Sequence, residues 1–143
     1  MIEYCGDMWS FLDQAIIAIT TGGSVSRSGR CAMPRGCAAQ ARERFAGLDE
    51  QLGALIRQGG NHVYLLDHGL VSFPVEHTPY EVPSLALIEQ SCCELLELTN
   101  ANGWSCVVVP RPGCGGGGLS WKDVRPILER YFDDRFTIIS IEQ

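Results

Sequence analysis

The fold is decided by the stretch Val107-Val108-Val109-Pro110-Arg111-Pro112-Gly113-Cys114-Gly115-Gly116-Gly117-Gly118-Leu119-Ser120-Trp121, in which a β-branched run leads into a glycine-rich segment. The three valines predict a strand buried on both faces. Five glycines then fall within six residues, and Ser120 is a typical cap for the start of a helix. Glycines accept positive φ and let the backbone approach a ligand, while successive N–H groups form an anion-binding concavity. The segment therefore predicts a strand, a diphosphate-binding loop and a helix.

Two well-known glycine motifs differ from this loop. A dinucleotide-binding fingerprint belongs to the first βα unit and is followed by an acidic residue about 20 positions later. The loop here lies near the end of the sequence and has no such sequel. A P-loop requires Gly-Lys followed by Ser or Thr, which is also missing. A flexible turn with no ligand remains the structural alternative.

The rest of the chain alternates between strand-like and helix-like patterns. Residues 15–21 are apolar and rich in β-branched side chains, whereas residues 37–57 carry apolar positions at helical spacing with Gly47 as a break. This alternation predicts a single α/β domain over residues 1–143, with a mixed sheet covered on both faces. The predicted strands are 15–21, 62–66, 70–73, 104–109 and 136–141, and the predicted helices are 37–57, 84–100 and 121–132.

A second loop with a glycine runs into a helix at Met33-Pro34-Arg35-Gly36-Cys37-Ala38. The first turn of a helix carries unpaired N–H groups and a partial positive charge, both of which favour a phosphate. Together with the loop at 113–118, it could hold one diphosphate from two sides. A tight turn into the helix is the alternative interpretation of this segment.

Composition excludes several classes of function. A net charge of −6 argues against general affinity for nucleic acid or anionic membrane. Seven cysteines without a CxxC pair predict reduced thiols in the cytoplasm, with neither a disulfide framework nor a zinc site. No signal peptide or membrane span is expected. The sequence thus predicts a soluble cytoplasmic monomer with no cofactor and no metal.

The ordered set of motifs resembles the macro domain. It comprises Gly6-Asp7-Met8-Trp9, the strand at 15–21, Met33-Pro34-Arg35-Gly36 before a small-residue helix, and Pro110-Arg111-Pro112-Gly113-Cys114-Gly115 with Leu119-Ser120-Trp121. The resemblance covers nearly the whole chain. In particular it is similar to the branch with the terminal ADP-ribose protein glycohydrolases and the DNA ADP-ribosyl glycohydrolase antitoxins.

The resemblance implies a three-layer α/β/α fold and a cleft for ADP-ribose, free or attached to protein or nucleic acid. Asp7 would accept a hydrogen bond from the adenine amino group beside Met8, although it could instead only cap the following turn. The distal ribose and one phosphate would lie among Thr21, Gly22 and the loop from Met33 to Cys37. The ligand-binding residues it implies are Asp7, Met8, Thr21, Gly22, Met33, Arg35, Gly36, Cys37, Pro110, Gly113, Cys114, Gly115, Gly116, Gly117, Gly118 and Leu119.

The residues expected to do chemistry depart from those of catalytic relatives. Such relatives resemble this chain but carry a lysine just beyond the strand at 70–73, and some add an acid in the glycine loop. Here those positions hold Glu76 and Gly117, and Gly22 stands where many macro domains have an asparagine. Glu76 or His77 could still act as a general base on a water molecule. Both could equally be ordinary loop residues.

Four functions therefore stay open from the sequence. The protein could hydrolyse ADP-ribosyl linkages, read ADP-ribose without chemistry, or remove a terminal phosphate as an ADP-ribose 1″-phosphate phosphatase does. The missing lysine favours the reader. A nucleotide-binding or partner-binding α/β protein with a purely structural glycine loop is the fourth.

Overall fold

The computed structural model describes residues 1–141, which form five strands and four helices. The strands are β1 (Ile2–Cys5), β2 (Ile16–Thr21), β3 (Leu70–Pro74), β4 (Val107–Pro110) and β5 (Phe136–Ser140). The helices are α1 (Gly36–Arg44), α2 (Leu48–Gly59), α3 (Leu85–Asn102) and α4 (Trp121–Glu129). Short 3₁₀ turns occupy Met8–Phe11 and Asp67–Gly69. No helix in this part of the chain has the length and apolar character needed to cross a membrane.

The local signals in the sequence explain the helix bounds. Gly47 adopts φ 86° and separates α1 from α2, as its position in the pattern predicted. Ser84 accepts a hydrogen bond from the Leu87 N–H at the start of α3, and Ser120 accepts one from the Lys122 N–H at the start of α4. Gly103 ends α3 in the left-handed conformation.

The five strands form one sheet in the order β1-β5-β4-β2-β3, and all four pairings are parallel. The α/β class is confirmed. The sheet is parallel rather than mixed as expected, and its antiparallel pairing is limited to an isolated bridge between Leu65 and Val71. Residues 62–66 do not form a strand because the Ser72 hydroxyl replaces part of the ladder, accepting from the Tyr64 N–H and donating to the His62 carbonyl.

Two apolar clusters place helices on both faces of the sheet, so the three-layer architecture is confirmed. On one face, α1 and α2 pack against the strands through Ala41 and Leu52, which meet Ile17 and Ile19. On the other face, α3 and α4 pack through the side chains of Ile88, Leu95 and Leu128. A parallel sheet needs this double cover, since both faces of its strands are apolar.

The connections create a crevice between the central strands β2 and β4. From β2 the chain continues into α1 on one face, and from β4 it continues into α4 on the other. In open α/β sheets, ligands bind outside the carboxyl ends of two neighbouring strands whose connections run to opposite faces of the sheet. The strand order therefore sets the order of residues along the crevice. From the β1 end to the β3 end, these residues are Gly6 after β1, Ser140 at the end of β5, Pro110 at the end of β4, Thr21 at the end of β2 and Glu76 after β3.

Candidate ligand-binding cleft

A cleft of about 620 Å³ lies at the carboxyl ends of the strands. Segments from both ends of the chain form its walls, because a parallel sheet brings all the carboxyl ends to one edge. The predicted ligand-binding residues that line it are Asp7, Met8, Thr21, Gly22, Arg35, Gly36, Cys37, Pro110, Gly113, Cys114, Gly115, Gly116, Gly117 and Leu119.

One wall of the cleft is the first turn of α1. Arg35 occupies the cap position but makes no side-chain hydrogen bond to the helix. The N–H groups of the first turn therefore have no side-chain partner, and Gly36, Cys37 and Ala38 all line the cleft. Uncapped N–H groups at a helix start form a site for an anion.

The opposite wall is the glycine loop after β4, held by contacts that require glycine at two positions. Gly113 has φ 72° and its carbonyl accepts from the Leu119 N–H at 2.9 Å, which closes the loop. A Cβ on Gly117 would lie 2.7 Å from the Gly113 oxygen and 2.8 Å from Pro83 Cγ. Gly115 differs, since a Cβ there would meet nothing within 4 Å and its φ is not positive. Gly113 and Gly117 thus shape the loop, and Gly115 faces open space.

Asp7 lies at the β1 end of the cleft and also caps the adjacent 3₁₀ turn. Its Oδ1 accepts from the Trp9 N–H at 3.0 Å. The capping role considered from the sequence is therefore present, and Asp7 nevertheless lines the cleft next to Met8. The cap fixes the carboxylate at this end of the cleft.

Glu76 lies at the other end, beyond β3. Its side chain is 15% exposed, and Oε2 is buried with no hydrogen-bond partner. Burial raises the pKa of this carboxyl, against the lowering effect of the Arg35 guanidinium, and Glu81 raises it further. The Thr21 hydroxyl is likewise buried without a partner. Two unsatisfied polar groups at one end of a cleft mark a place where a ligand or water supplies the missing bonds.

Arg35 extends across the cleft between its walls. Its Nη2 donates to the Pro79 carbonyl at 3.0 Å and lies 3.8 Å from Glu76 Oε2. A Cβ on Gly116 would lie 3.8 Å from Arg35 Cδ. The guanidinium therefore brings a positive charge to the Glu76 end of the cleft.

Two thiols, those of Cys37 and Cys114, line the cleft. Burial raises the pKa of Cys37, whose Sγ lies 3.3 Å from the Thr20 hydroxyl. Burial also raises the pKa of Cys114. Because the thiolate is the nucleophilic form, neither group is activated for covalent chemistry.

Three predicted site residues lie outside the cleft. Met33 is 1% exposed and packs in the core cluster with Ala38 and Ala41 of α1. Gly118 does not line the cleft, although its neighbours Gly117 and Leu119 do. His77 is exposed, with its ring Nδ1 3.4 Å from Asn61 Nδ2, and it lines a separate depression by the start of α3. Of the two proposed bases, only Glu76 reaches the cleft.

Sequence reasoning missed several lining residues. Arg111 and Trp121 belong to the glycine-loop motif, but the sequence does not indicate that their side chains meet in the cleft wall. Pro79 and Pro83 come from the segment between β3 and α3, where the absence of periodicity gave no signal. The lining residues not predicted are Gly6, Thr20, Ala32, Pro34, Ala38, Gln40, Val75, Pro79, Pro83, Arg111, Trp121, Ile139, Ser140 and Ile141.

The described residues include no cluster of three or more His, Cys, Asp or Glu side chains placed to hold a metal ion. The polar groups that line the cleft include backbone N–H groups, two guanidinium groups, two carboxylates, and the side chains of Thr20, Thr21, Gln40 and Ser140. Such a set can bind a negatively charged, hydroxyl-bearing ligand through hydrogen bonds.

Comparison with curated proteins by sequence gives a relative that matches most of the chain. The chain is 28% identical over 125 residues to the ADP-ribose glycohydrolase OARD1 of Bos taurus, covering 78% of this chain and 76% of that protein. No protein-family model matches the chain.

Solved structures with the same architecture include the macrodomain of Mycobacterium tuberculosis DarG, with a TM-score of 0.77 and 22% identity over 97% of each chain. The macrodomain of Thermus aquaticus DarG has a TM-score of 0.80 at 16% identity, covering 96% of this chain and 95% of that one. Thermosipho africanus DarTG in complex with ADP-ribose has a TM-score of 0.79 at 20% identity, over 99% of this chain and 42% of that chain. The chain therefore has the macrodomain fold, and the resemblance indicated by its motifs is confirmed.

Proposed function

We propose that the chain is a single macrodomain that binds ADP-ribose, free or attached to a macromolecule, in the cleft. The observation that carries this proposal is the pair of N–H-bearing walls, the uncapped start of α1 and the glycine loop after β4. They face one crevice between β2 and β4, where a diphosphate would receive hydrogen bonds from both sides. The likeness to OARD1 and to DarTG, whose solved complex contains ADP-ribose, supports the same ligand.

The order of the strands suggests how the ligand would lie. The nucleoside would occupy the β1 and β5 end, where Asp7 Oδ2 could accept from the adenine amino group. The diphosphate would lie between Gly36 and Gly115, and the distal ribose would reach Thr21 and Glu76. This orientation places polar atoms of the ligand beside the two unsatisfied side chains at the β3 end.

Substitution at Gly115 tests the proposal, because this glycine faces open space and has ordinary backbone geometry. We expect Gly115→Ala to weaken ADP-ribose binding modestly, and Gly115→Val to weaken it at least about tenfold, a change of about 1.4 kcal/mol. Isothermal titration calorimetry measures both affinities.

Thermal unfolding serves as the control, and the unfolding midpoint should stay within about 2 °C for both variants. Wild-type protein that fails to bind at millimolar ADP-ribose would contradict the proposal. Equal affinity in wild type and Gly115→Val would show that the glycine loop does not contact the ligand.

A second function, hydrolysis of an ADP-ribosyl linkage, is favoured by Glu76. The partly desolvated carboxylate lies at the end of the cleft assigned to the distal ribose, and its pKa is raised by burial. A base of raised pKa accepts a proton better, so Glu76 could take a proton from water as that water attacks the anomeric carbon. The bond from that carbon to the modified group breaks in the same step, and the leaving atom takes its proton from solvent, which yields free ADP-ribose and the unmodified group. The name of OARD1, a glycohydrolase, supports this candidate.

A turnover assay distinguishes the hydrolase from a reader that binds ADP-ribose without chemistry. The missing lysine favours the reader. The protein is incubated with ADP-ribosylated protein and with ADP-ribosylated DNA, and released ADP-ribose is measured. For the hydrolase, we expect Glu76→Gln to lower kcat at least about a hundredfold, the usual contribution of a general base. His77→Gln is the matched control, because His77 lies outside the cleft. Tight binding with no release by wild type identifies the reader.

We also infer that the protein works in the cytoplasm. The seven cysteines are all unpaired in the structure, which suits a reducing compartment. The net charge of −6 makes recognition through the ADP-ribosyl group more favourable than general attraction to a nucleic acid.

A further inference from the structure

Arg111 and Trp121 form a cationic platform in the cleft wall. The Arg111 guanidinium carbon lies 4.8 Å from the centre of the Trp121 ring, and both residues line the cleft. A guanidinium stacked on an indole is attracted by the negative face of the ring and keeps its donors at the edges of the plane. The stack therefore holds a positive charge in a fixed orientation.

Contacts from the neighbouring strand and helix hold the indole in place. Trp121 Nε1 donates to Glu3 Oε1 at 3.2 Å, and the Arg125 Nε donates to Glu3 Oε2 at 3.0 Å. Glu3 belongs to β1, so the platform lies toward the β1 and β5 side of the cleft. Within residues 1–141, Glu3 is ion-paired with Arg125, and no carboxylate is ion-paired with Arg111.

The charges of ADP-ribose do not account for this cation. Both negative charges of the ligand are on the diphosphate, which the start of α1, the glycine loop and Arg35 would meet in the middle and at the β3 side of the cleft. The nucleoside half at the β1 side is neutral. A half-buried arginine that has no ion-pair partner among residues 1–141 is electrostatically suited to a further anion at that side.

We propose that Arg111, held on Trp121, is a subsite for a phosphoryl group on the adenosine ribose, so that the cleft prefers 2′-phosphorylated ADP-ribose over ADP-ribose. This inference rests on the proposed function for the position of the nucleoside. Its recognition chemistry is a charge-assisted, bidentate contact between guanidinium and phosphate.

Calorimetric titration with two matched pairs of ligands tests the subsite. One pair is ADP-ribose and 2′-phospho-ADP-ribose, and the other is AMP and 2′,5′-ADP, which lacks the distal ribose. We expect the 2′-phosphate to tighten binding about tenfold or more in both pairs, the range of a hydrogen-bonded ion pair. Arg111→Gln should bring each ratio of affinities close to one, and Arg111→Lys should keep part of the preference.

Lys122→Gln is the matched control, because it removes an exposed cation from the same turn of α4 without touching the cleft. It should leave both ratios unchanged. Equal affinity for both members of each pair in wild type overturns the subsite while leaving ADP-ribose binding intact. The subsite is also overturned if Arg111→Gln weakens the binding of both members of a pair by the same factor. That result would assign Arg111 to the diphosphate. Failure of all four ligands to bind overturns the subsite and the proposed function together.

Discussion

Glu76 and Glu81 lie five residues apart, and the structure shifts their acidities in opposite directions. Burial raises the pKa of Glu76, and its Oε2 has no hydrogen-bond partner. Glu81 is exposed and accepts from the backbone N–H groups of His77 and Thr78, which lower its pKa. Folding therefore disfavours the charge on Glu76 and favours the charge on Glu81.

These shifts predict how stability depends on pH. When folding raises the pKa of a carboxyl, the folded state is stabilised fully at pH values below the pKa of that carboxyl in the unfolded chain. This stabilisation is lost as pH rises through the pKa of the carboxyl in the folded protein. We therefore expect Glu76→Gln to raise the unfolding midpoint at pH 7 by about 2–4 °C, the shift for roughly 1 kcal/mol. The gain should shrink as pH falls through the unfolded pKa of a glutamate, about 4.3, and disappear near about pH 3, where the wild-type carboxyl is protonated in both states.

Glu81→Gln provides the control with the opposite sign. Because the pKa of Glu81 is lowered, its contribution is present at neutral pH and is lost as pH falls through the folded pKa. The variant should be less stable than wild type at pH 7 and approach it at low pH. Thermal unfolding from about pH 3 to pH 7 measures both series. A destabilising effect of Glu76→Gln at pH 7 would contradict the burial argument.

Among the secondary-structure elements, α2 and the loop before α1 approach each other at Gly53. A Cβ on Gly53 would lie 2.0 Å from the Gly29 oxygen and 3.0 Å from the Cys31 nitrogen, both backbone atoms. The Cys31 N–H also donates to the Asp49 carbonyl at 2.9 Å. This close contact supports the loop from which the chain enters the cleft wall at Arg35.

Gly53→Ala sets two effects of similar size against each other. In an exposed helix the change stabilises by about 1 kcal/mol, but overpacking a close contact costs about 1–3 kcal/mol. Backbone atoms cannot rotate away as a side chain can, so we expect a net loss of about 1–2 kcal/mol in the free energy of unfolding. Urea denaturation measures it.

Gln58→Ala, at an exposed position of the same helix, is the comparison and should change stability by less than about 0.5 kcal/mol. If Gly53→Ala proved as stable as wild type or more so, the loop could move aside without cost, and Gly53 would not hold its position.

Most of these elements could be predicted from the sequence because their signals are local. The valines before the glycine loop, the Ser84 and Ser120 caps and the break at Gly47 each depend on neighbouring residues. The strand predicted at 62–66 was wrong because its pairing depends on one distant hydroxyl, that of Ser72.

The candidate site was predictable at the level of loops but not of side-chain directions. A glycine-rich loop and a helix start both provide free backbone N–H groups, whatever the directions of the side chains. Both walls of the cleft could therefore be predicted from the sequence. Met33 turning inward, His77 facing another depression and Arg111 stacking on Trp121 all depend on packing between distant segments. Periodicity and spacing carry no information about such contacts.

At the scale of the whole molecule, the site follows from the order of the strands. The β1-β5-β4-β2-β3 arrangement brings the first and last strands together at one end of the cleft and β3 at the other. An elongated ligand then meets residues from the whole length of the chain. Because the cleft draws on every layer, its geometry depends on the complete fold rather than on a single motif.

The uncapped start of α1 has a consequence for any attempt to make the protein more thermostable. A Ser, Asp or Asn at position 35 would cap the helix and add about 1 kcal/mol of stability. The same side chain would occupy the N–H groups proposed to bind the diphosphate, and the substitution would remove the Arg35 guanidinium. If the proposed binding site is correct, a substitution at position 35 that raises stability lowers ligand affinity, and stabilising designs should leave the start of α1 uncapped.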